Sequence, residues 1–232
     1  MKFFERLRVY QDLPARSAAM NMAIDEALLE TAAIPLIRFY RWHSPALSFG
    51  YFGKFADVAS YVSERDLVRR WTGGGIVLHG HDLTYSIVIP ASDPAFAEPS
   101  LAIYERIHHA LSQSLLGTGV RTDLVGSARR ADSRKLSGQR GVPTNNCFAN
   151  PVRADVMVDS RKIAGAAQRR TRRGLLQQGS IQGINLDNDL PDRFANALSA
   201  NCRQVSINEK ILQRARELAQ QKYGTDSWLR KR

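Results

Sequence analysis
A chain of 232 residues, 44% of them hydrophobic, is long enough to bury a sizeable core and suits one domain or one with a small appendage. Thirty-three Lys and Arg against 22 Asp and Glu give a formal charge of +11, which favours acidic partners without choosing between nucleic acid and acidic carrier domains. Two unpatterned cysteines, Cys147 and Cys202, argue against a disulfide framework and a zinc site, the charged start MKFFERLRVYQD is no signal peptide, and no run approaches a membrane span, so a cytoplasmic, metal-free protein is expected.

Ser17 is an N-cap for a helix in which Met20, Ala23, Ile24, Ala27 and Leu28 recur at helical spacing. Strand-like runs follow at Leu36 to Trp42, Ala46 to Phe52, Val68 to Thr72, Ile76 to Leu78 and Leu83 to Ile89, the last closed by Pro90. Pro99 and Ser100 open a second helix whose Ile103, Ile107, Leu111 and Leu115 share a face, with Gly117 and Gly119 ending it. From about 126 to 146 the chain is polar and basic, which predicts a mobile loop leading into Cys147. Val152 to Val158, Arg161 to Ala164 and Leu175 to Ile184 read as further strands, with turns at Asp159-Ser160 and Arg173-Gly174. Ser206 and Glu209 form a capping-box pattern for a last helix carrying Ile211, Leu212, Ala215, Leu218 and Ala219. The pattern is one of helices packed on sheet, without repeats or low-complexity linkers.

Two motifs carry chemistry. Cys147 stands fifteen residues ahead of Lys162; a thiolate is the strongest ordinary nucleophile, and an ammonium beside it would stabilise both the thiolate and the oxyanion of an acyl group under attack. Upstream, RRWTGGGIVLHG sets Gly73, Gly74 and Gly75 beside Arg69, Arg70 and His79, a turn that lets a ligand approach the backbone. The small residues of KIAGAAQ, among them Gly165 and Ala167, allow the same around Lys162. The bland readings are a packed cysteine, a solvated lysine and a bulged turn. Cys202 matches no motif and reads as structural, and His108 and His109 as ordinary surface or core positions. Arg169, Arg170, Arg172 and Arg173 read either as a solvated hairpin or as a docking surface for an acidic carrier.

The segments RRWTGGGIVLHGHDLTYSIVIP, KIAGAAQRR and LLQQGSI, in that order, resemble the lipoate-protein ligase and octanoyltransferase family, and MNMAIDEALLE and KYGTDSWL resemble its ends. The resemblance implies an α+β fold of mixed, largely antiparallel sheets packed with helices, the biotin/lipoyl protein ligase catalytic domain, which is class II aminoacyl-tRNA synthetase-like, spanning residues 1–232 as a single domain. Cys147-Phe148 makes the chain similar to the cysteine-dependent octanoyltransferase and amidotransferase branch. One departure is Gln177-Gln178, where family members often carry a histidine before the GS or GT pair.

By that resemblance, Cys147 and Lys162 are the catalytic pair, and Arg70, Gly73, Gly74, Gly75, His79, Gly165 and Ala167 hold substrate. The implied reaction moves an octanoyl or lipoyl group from acyl carrier protein, another thioester or a lipoyl protein to a lysine of a lipoyl domain or glycine cleavage H protein. It proceeds through an acyl-enzyme and needs no cofactor. The alternative is an ATP- and Mg-dependent lipoate-protein ligase with an acyl-adenylate; the thiol, and little room for an accessory domain, tilt the reading toward transfer. A basic nucleic-acid-binding protein, suggested by charge alone, is a poor third because no recognisable motif accompanies the charge.

Overall fold
The structure, a computed structural model, describes residues 2–117, 120–126 and 151–231; Cys147 and residues 127–146 of the expected basic loop lie outside the described residues. The described elements run β1 (Leu7–Arg16), α1 (Ala18–Thr31), β2 (Leu36–Trp42), β3 (Ala46–Phe49), β4 (Asp66–Arg69), β5 (Val77–His79), β6 (Leu83–Pro90), α2 (Ser100–Leu116), β7 (Asp123–Leu124), β8 (Val156–Val158), β9 (Arg161–Arg170), β10 (Gly174–Ile181), α3 (Leu190–Leu198), β11 (Cys202–Gln204), α4 (Glu209–Leu218) and α5 (Asp226–Leu229). They build an eight-stranded sheet in the order β11-β1-β2-β6-β10-β9-β8-β7 and a three-stranded sheet in the order β4-β3-β5. Strand β1 runs parallel to β2 and β11, and β3 to β4; the other pairs are antiparallel. This is the expected mixed, largely antiparallel α+β class.

Side chains on a strand alternate between faces, so β6 sends Ile87 and Ile89 to one core and Val88 to the other. On one face, Ile103, Ile107 and Leu111 of α2 and Phe194 of α3 pack with them; on the other, Met22 and Ile24 of α1 and Ile211 and Ala215 of α4 do. Burial on both faces explains why β6 and β10 are buried along their whole length.

One polar cluster crosses this apolar interior. Arg38 of β2 is fully buried, 2.7 Å from Asp12 of β1 and 2.8 Å from Asp25 of α1. A buried guanidinium costs desolvation unless its donors are matched, and here Asn21 of α1 also accepts from it at 2.7 Å, so the ion network fixes α1 to the sheet. Asp25 in turn accepts from Ser86 and Gln178, reaching toward the cavity described below.

Several sequence expectations need correction. Strand β3 stops at Phe49 rather than Phe52, because Gly50 abuts the glycine turn so closely that a Cβ there would lie 2.0 Å from the carbonyl oxygen of Gly74. The run expected at Val68 to Thr72 pairs as Asp66–Arg69, and that from Val152 only from Val156. Helix α4 is capped by Asn208, whose side chain accepts from the Ile211 amide at 3.0 Å, and not by the Ser206/Glu209 box. Strand β1 went unread because it carries Pro14, which cannot donate to a ladder; the register shifts between Asp12 and Arg16 to accommodate it. Arg69 is buried, and its guanidinium donates to the carbonyls of Tyr51, Gly53, Trp228, Leu229 and Lys231, anchoring the last helix rather than a ligand. Among the described residues no helix is long and apolar enough to cross a membrane.

Candidate active site
A narrow cavity lies between α1, the inner strands of the large sheet and the small sheet. Met22, Trp42 and Val77 give it apolar walls, while Gly165, Ala166 and Ala167 of β9 and Gly179 of β10 keep its floor low. Two of these glycines are required by what crosses them. A Cβ on Gly165 would sit 2.3 Å from Cε and 2.5 Å from Nζ of Lys162, and one on Gly179 would sit 2.3 Å from Cζ of the Tyr85 ring.

Lys162 lies near the start of β9, where the register with β8 slips: Val156 pairs Ala164 but Met157 pairs Lys162, leaving Ile163 as an extra residue. Such a bulge twists a strand and re-aims its neighbours. The lysine crosses Gly165 with its side chain 3% exposed, lining the cavity and ion-paired to Asp155 at 2.8 Å. Asp155, fully buried, also accepts from the Tyr104 hydroxyl at 2.5 Å and the Val152 amide at 2.7 Å. Burial and the charge of Asp155 hold the Tyr104 phenol well above its ordinary pKa, so it stays a donor. One turn along α2, His108 meets the Ala154 carbonyl through Nδ1 at 2.7 Å and the Tyr85 hydroxyl through Nε2 at 2.9 Å. A carbonyl only accepts, so Nδ1 carries the proton and Nε2 accepts from Tyr85. Burial lowers the His108 pKa to about 4, consistent with this neutral ring.

The opposite wall is a second chain of hydrogen bonds. Arg70 donates to Ser48 Oγ at 2.7 Å, Ser48 lies 2.7 Å from His79 Nε2, and His79 Nδ1 lies 2.8 Å from Asp82. Burial depresses the His79 pKa, so the neutral ring donates to Asp82 and accepts from Ser48. Burial would raise Asp82, but hydrogen bonds from His79, the Gly80 amide and Ser180 outweigh it and bring its pKa to about 2. Trp42 stacks on His79 with centroids 4.0 Å apart and is pinned through Nε1 to Thr84 at 2.8 Å. At the back, the Gln178 amide accepts a hydrogen bond from Thr72 at 2.8 Å and donates one to Asp25 at 2.7 Å, setting an amide where the family resemblance implies a histidine.

Of the expected site residues, Arg70, His79, Lys162, Gly165 and Ala167 line one cavity. Gly73, Gly74 and Gly75 do not line it. Gly74 has φ 84, and Gly74 and Gly75 border a neighbouring groove with Phe49 and Phe52; Arg70 secures the turn by donating to the carbonyls of Gly73 at 3.1 Å and Gly75 at 2.8 Å. The four arginines lie at the β9–β10 hairpin in unlike settings. Arg169 stands 5.0 Å over Tyr51 and Trp71, Arg170 holds the carbonyls of Phe96 and Glu98, Arg173 is 3.5 Å from Glu30, and Arg172 is exposed. Sequence reading missed Asp155, Tyr104, Met22 and Trp42 and passed over His108; the signal available was a Tyr and a His four apart on the apolar face of α2.

Residues 17–222 match the profile of the lipoyl protein ligase A/B catalytic domain. The chain is 38% identical over 183 residues to octanoyltransferase LipM of Staphylococcus epidermidis, covering 75% of this chain and 65% of that one, and 35% identical over 184 residues to octanoyltransferase LipM of Brevibacillus brevis, covering 76% and 65%. It therefore spans about 65% of the length of these relatives. Its fold is similar to that of a lipoate-protein ligase A crystallised with ATP (TM-score 0.71, 23% identity, 97% of this chain and 98% of that one). It is also similar to a bi-partite lipoate protein ligase of Thermoplasma acidophilum, studied with its E2 lipoyl domain (TM-score 0.68, 20% identity, 97% and 96%). A buried lysine over a glycine floor, a match across most of the sequence and this shared fold lead to one assignment: the chain belongs to the lipoyl protein ligase A/B catalytic domain family.

Proposed function
We propose that this protein is a cytoplasmic acyltransferase that moves an octanoyl or lipoyl group from a thioester or lipoyl-protein donor, such as an acyl carrier protein, to a lysine of a lipoyl domain or glycine cleavage H protein. The observation that carries the reading is Lys162, a buried lysine at the wall of a cavity with apolar sides and a glycine floor, in a chain 38% identical to an octanoyltransferase. The cavity suits an aliphatic tail, and the ammonium suits the carbonyl oxygen at its head.

In this mechanism the Cys147 thiolate attacks the donor carbonyl, and the negative charge that collects on oxygen is stabilised by Lys162. Collapse of the adduct expels the donor thiolate, which takes up a proton, and leaves a Cys147 thioester. The acceptor lysine, as a free amine, attacks that thioester, loses a proton and forms the amide as the Cys147 thiolate departs. Arg70, His79, Gly165 and Ala167 shape the cavity, and the arginines of the β9–β10 hairpin meet the acidic carriers, Arg169 and Arg172 more than Arg170, which is engaged with the chain's own carbonyls. No ATP or metal takes part.

Intact mass after mixing with an octanoyl-carrier protein tests this directly. A gain of one octanoyl group without ATP, absent in Cys147→Ser, is the expected result. Full transfer activity in Cys147→Ala, or modification of the acceptor only with ATP, would overturn the acyl-enzyme and favour the acyl-adenylate route of a ligase.

A further inference from the structure
We infer that Asp155, held by Tyr104, is a positioning residue for acyl transfer, acting through Lys162; the inference rests on the role proposed above for that lysine. The geometry is a clasp around the bulged start of β9. One carboxylate oxygen of Asp155 takes the Lys162 ammonium at 2.8 Å and the Val152 amide at 2.7 Å, and the other takes the Tyr104 hydroxyl at 2.5 Å. The same hydroxyl accepts from the Ala166 amide at 3.1 Å, so Tyr104 holds both the carboxylate and the strand that carries the lysine. Between them lies Gly165, whose missing side chain is the space the lysine occupies: a Cβ would meet Nζ at 2.5 Å and Asp155 Oδ1 at 3.2 Å.

A lysine has four rotatable bonds and would ordinarily sample many positions, so a charge meant for one oxyanion must be held in place. A buried carboxylate, itself fixed by a phenol and an amide, does this while compensating the ammonium for lost water. The outer ring is equally specific. Ala154 adopts φ 65, a left-handed backbone rare for residues with a Cβ, and its carbonyl is held by His108, so the residue before Asp155 is locked from α2. Two side chains one turn apart on α2, Tyr104 and His108, thus fix Asp155 from both sides, although neither lines the cavity.

The test is a double-mutant cycle on the full chain, read as single-turnover acylation by octanoyl-pantetheine and as kcat and KM for transfer to a lipoyl domain. Asp155→Asn is expected to lower the acylation rate about 100-fold with KM within about threefold, as misplacing a reacting group by about 1 Å does. In a Lys162→Ala background, itself down about 100- to 1,000-fold, Asp155→Asn should add nothing, because its effect passes through the lysine. Equal losses in both backgrounds, or a rise in KM alone, would overturn the positioning role. Should Asp155→Asn fail to fold, Tyr104→Phe serves in its place: a loss of about five- to tenfold, the scale of one hydrogen bond, confined to the Lys162 background, supports the inference, and an unchanged rate overturns it. A Lys162→Ala variant as fast as the parent would instead overturn the proposed role of the lysine.

Discussion
Both walls of the cavity set an ionisable nitrogen on a buried aspartate, and they do so to different ends. On the β5–β6 side, Asp82 accepts from His79, Thr84, Ser180 and the Gly80 amide, so the imidazole is one donor among four and is further clamped by Ser48 and the Trp42 ring. On the β9 side, Asp155 accepts from Tyr104, the Val152 amide and the ammonium of Lys162, whose flexible end reaches the cavity across a glycine. The first arrangement packs a ring between hydrogen-bond partners and an aromatic face; the second sets a charge at the cavity wall. The difference lies in what surrounds the nitrogen: His79 is boxed in by Ser48, Asp82 and the Trp42 ring, whereas Lys162 carries a charge to the cavity wall across a glycine.

The largest effect expected from breaking this contrast is on the scaffold side. His79→Ala removes a ring that Trp42 stacks on and leaves Ser48 and Asp82 each short of a buried partner, a loss of roughly 3 kcal/mol from cavity and unmatched hydrogen bonds. Urea unfolding should show a lowered midpoint with an unchanged slope. A stability loss under about 0.5 kcal/mol would mean that His79 is not built into the wall as the distances indicate.

Gly165→Ala sharpens the comparison from the other side. Its methyl group would collide with the end of Lys162 and force it off Asp155, so transfer should fall about 100-fold, with some stability lost as the buried ion pair is disturbed. Gly179→Ala is the counterpart, because its methyl meets the fully buried Tyr85 ring, which cannot yield; it should cost roughly 1–3 kcal/mol of stability. If Gly165→Ala destabilised the fold and left the rate intact, the glycine would serve packing and not the lysine.

The smallest effect is on acid stability. His108 is neutral in the fold with its pKa lowered by burial to about 4, whereas the unfolded chain binds that proton near 6.5. Its contribution is complete above the unfolded value and is lost as pH falls from 6.5 toward 4, by roughly 2 kcal/mol at pH 5; the depressed His79 acts in the same direction. Chemical denaturation at pH 7, 6 and 5 measures it. A flat profile would require His108 to take up the proton within the fold, with Nε2 then donating to the Tyr85 hydroxyl instead of accepting from it.

Periodicity and caps are local signals and locate α1, α2, β2 and β6, and motif resemblance named Lys162, Gly165 and His79, which the fold brings to one cavity. Reading the chain missed β1, where Pro14 obscures the pattern, and it could not foresee that Gly73 to Gly75 would stand off the cavity that Lys162 lines, with Gly74 and Gly75 beside a neighbouring groove. Nor can a count of basic residues say which guanidinium, here that of Arg69, is consumed by backbone carbonyls.

By itself, then, the sequence determined the apolar rhythm of two helices and the central strands, the run of small residues after Lys162, and the family to which the motifs point. Only the tertiary structure decided that Tyr104 and His108 would meet Asp155 and Ala154, 51 and 46 residues away, and that a bulge at Ile163 would turn Lys162 onto Gly165. The physical reason is that a contact between distant residues depends on how a helix seats on a sheet and on strand register. A one-residue slip in that register sends a side chain to the other face without changing a letter of the local pattern.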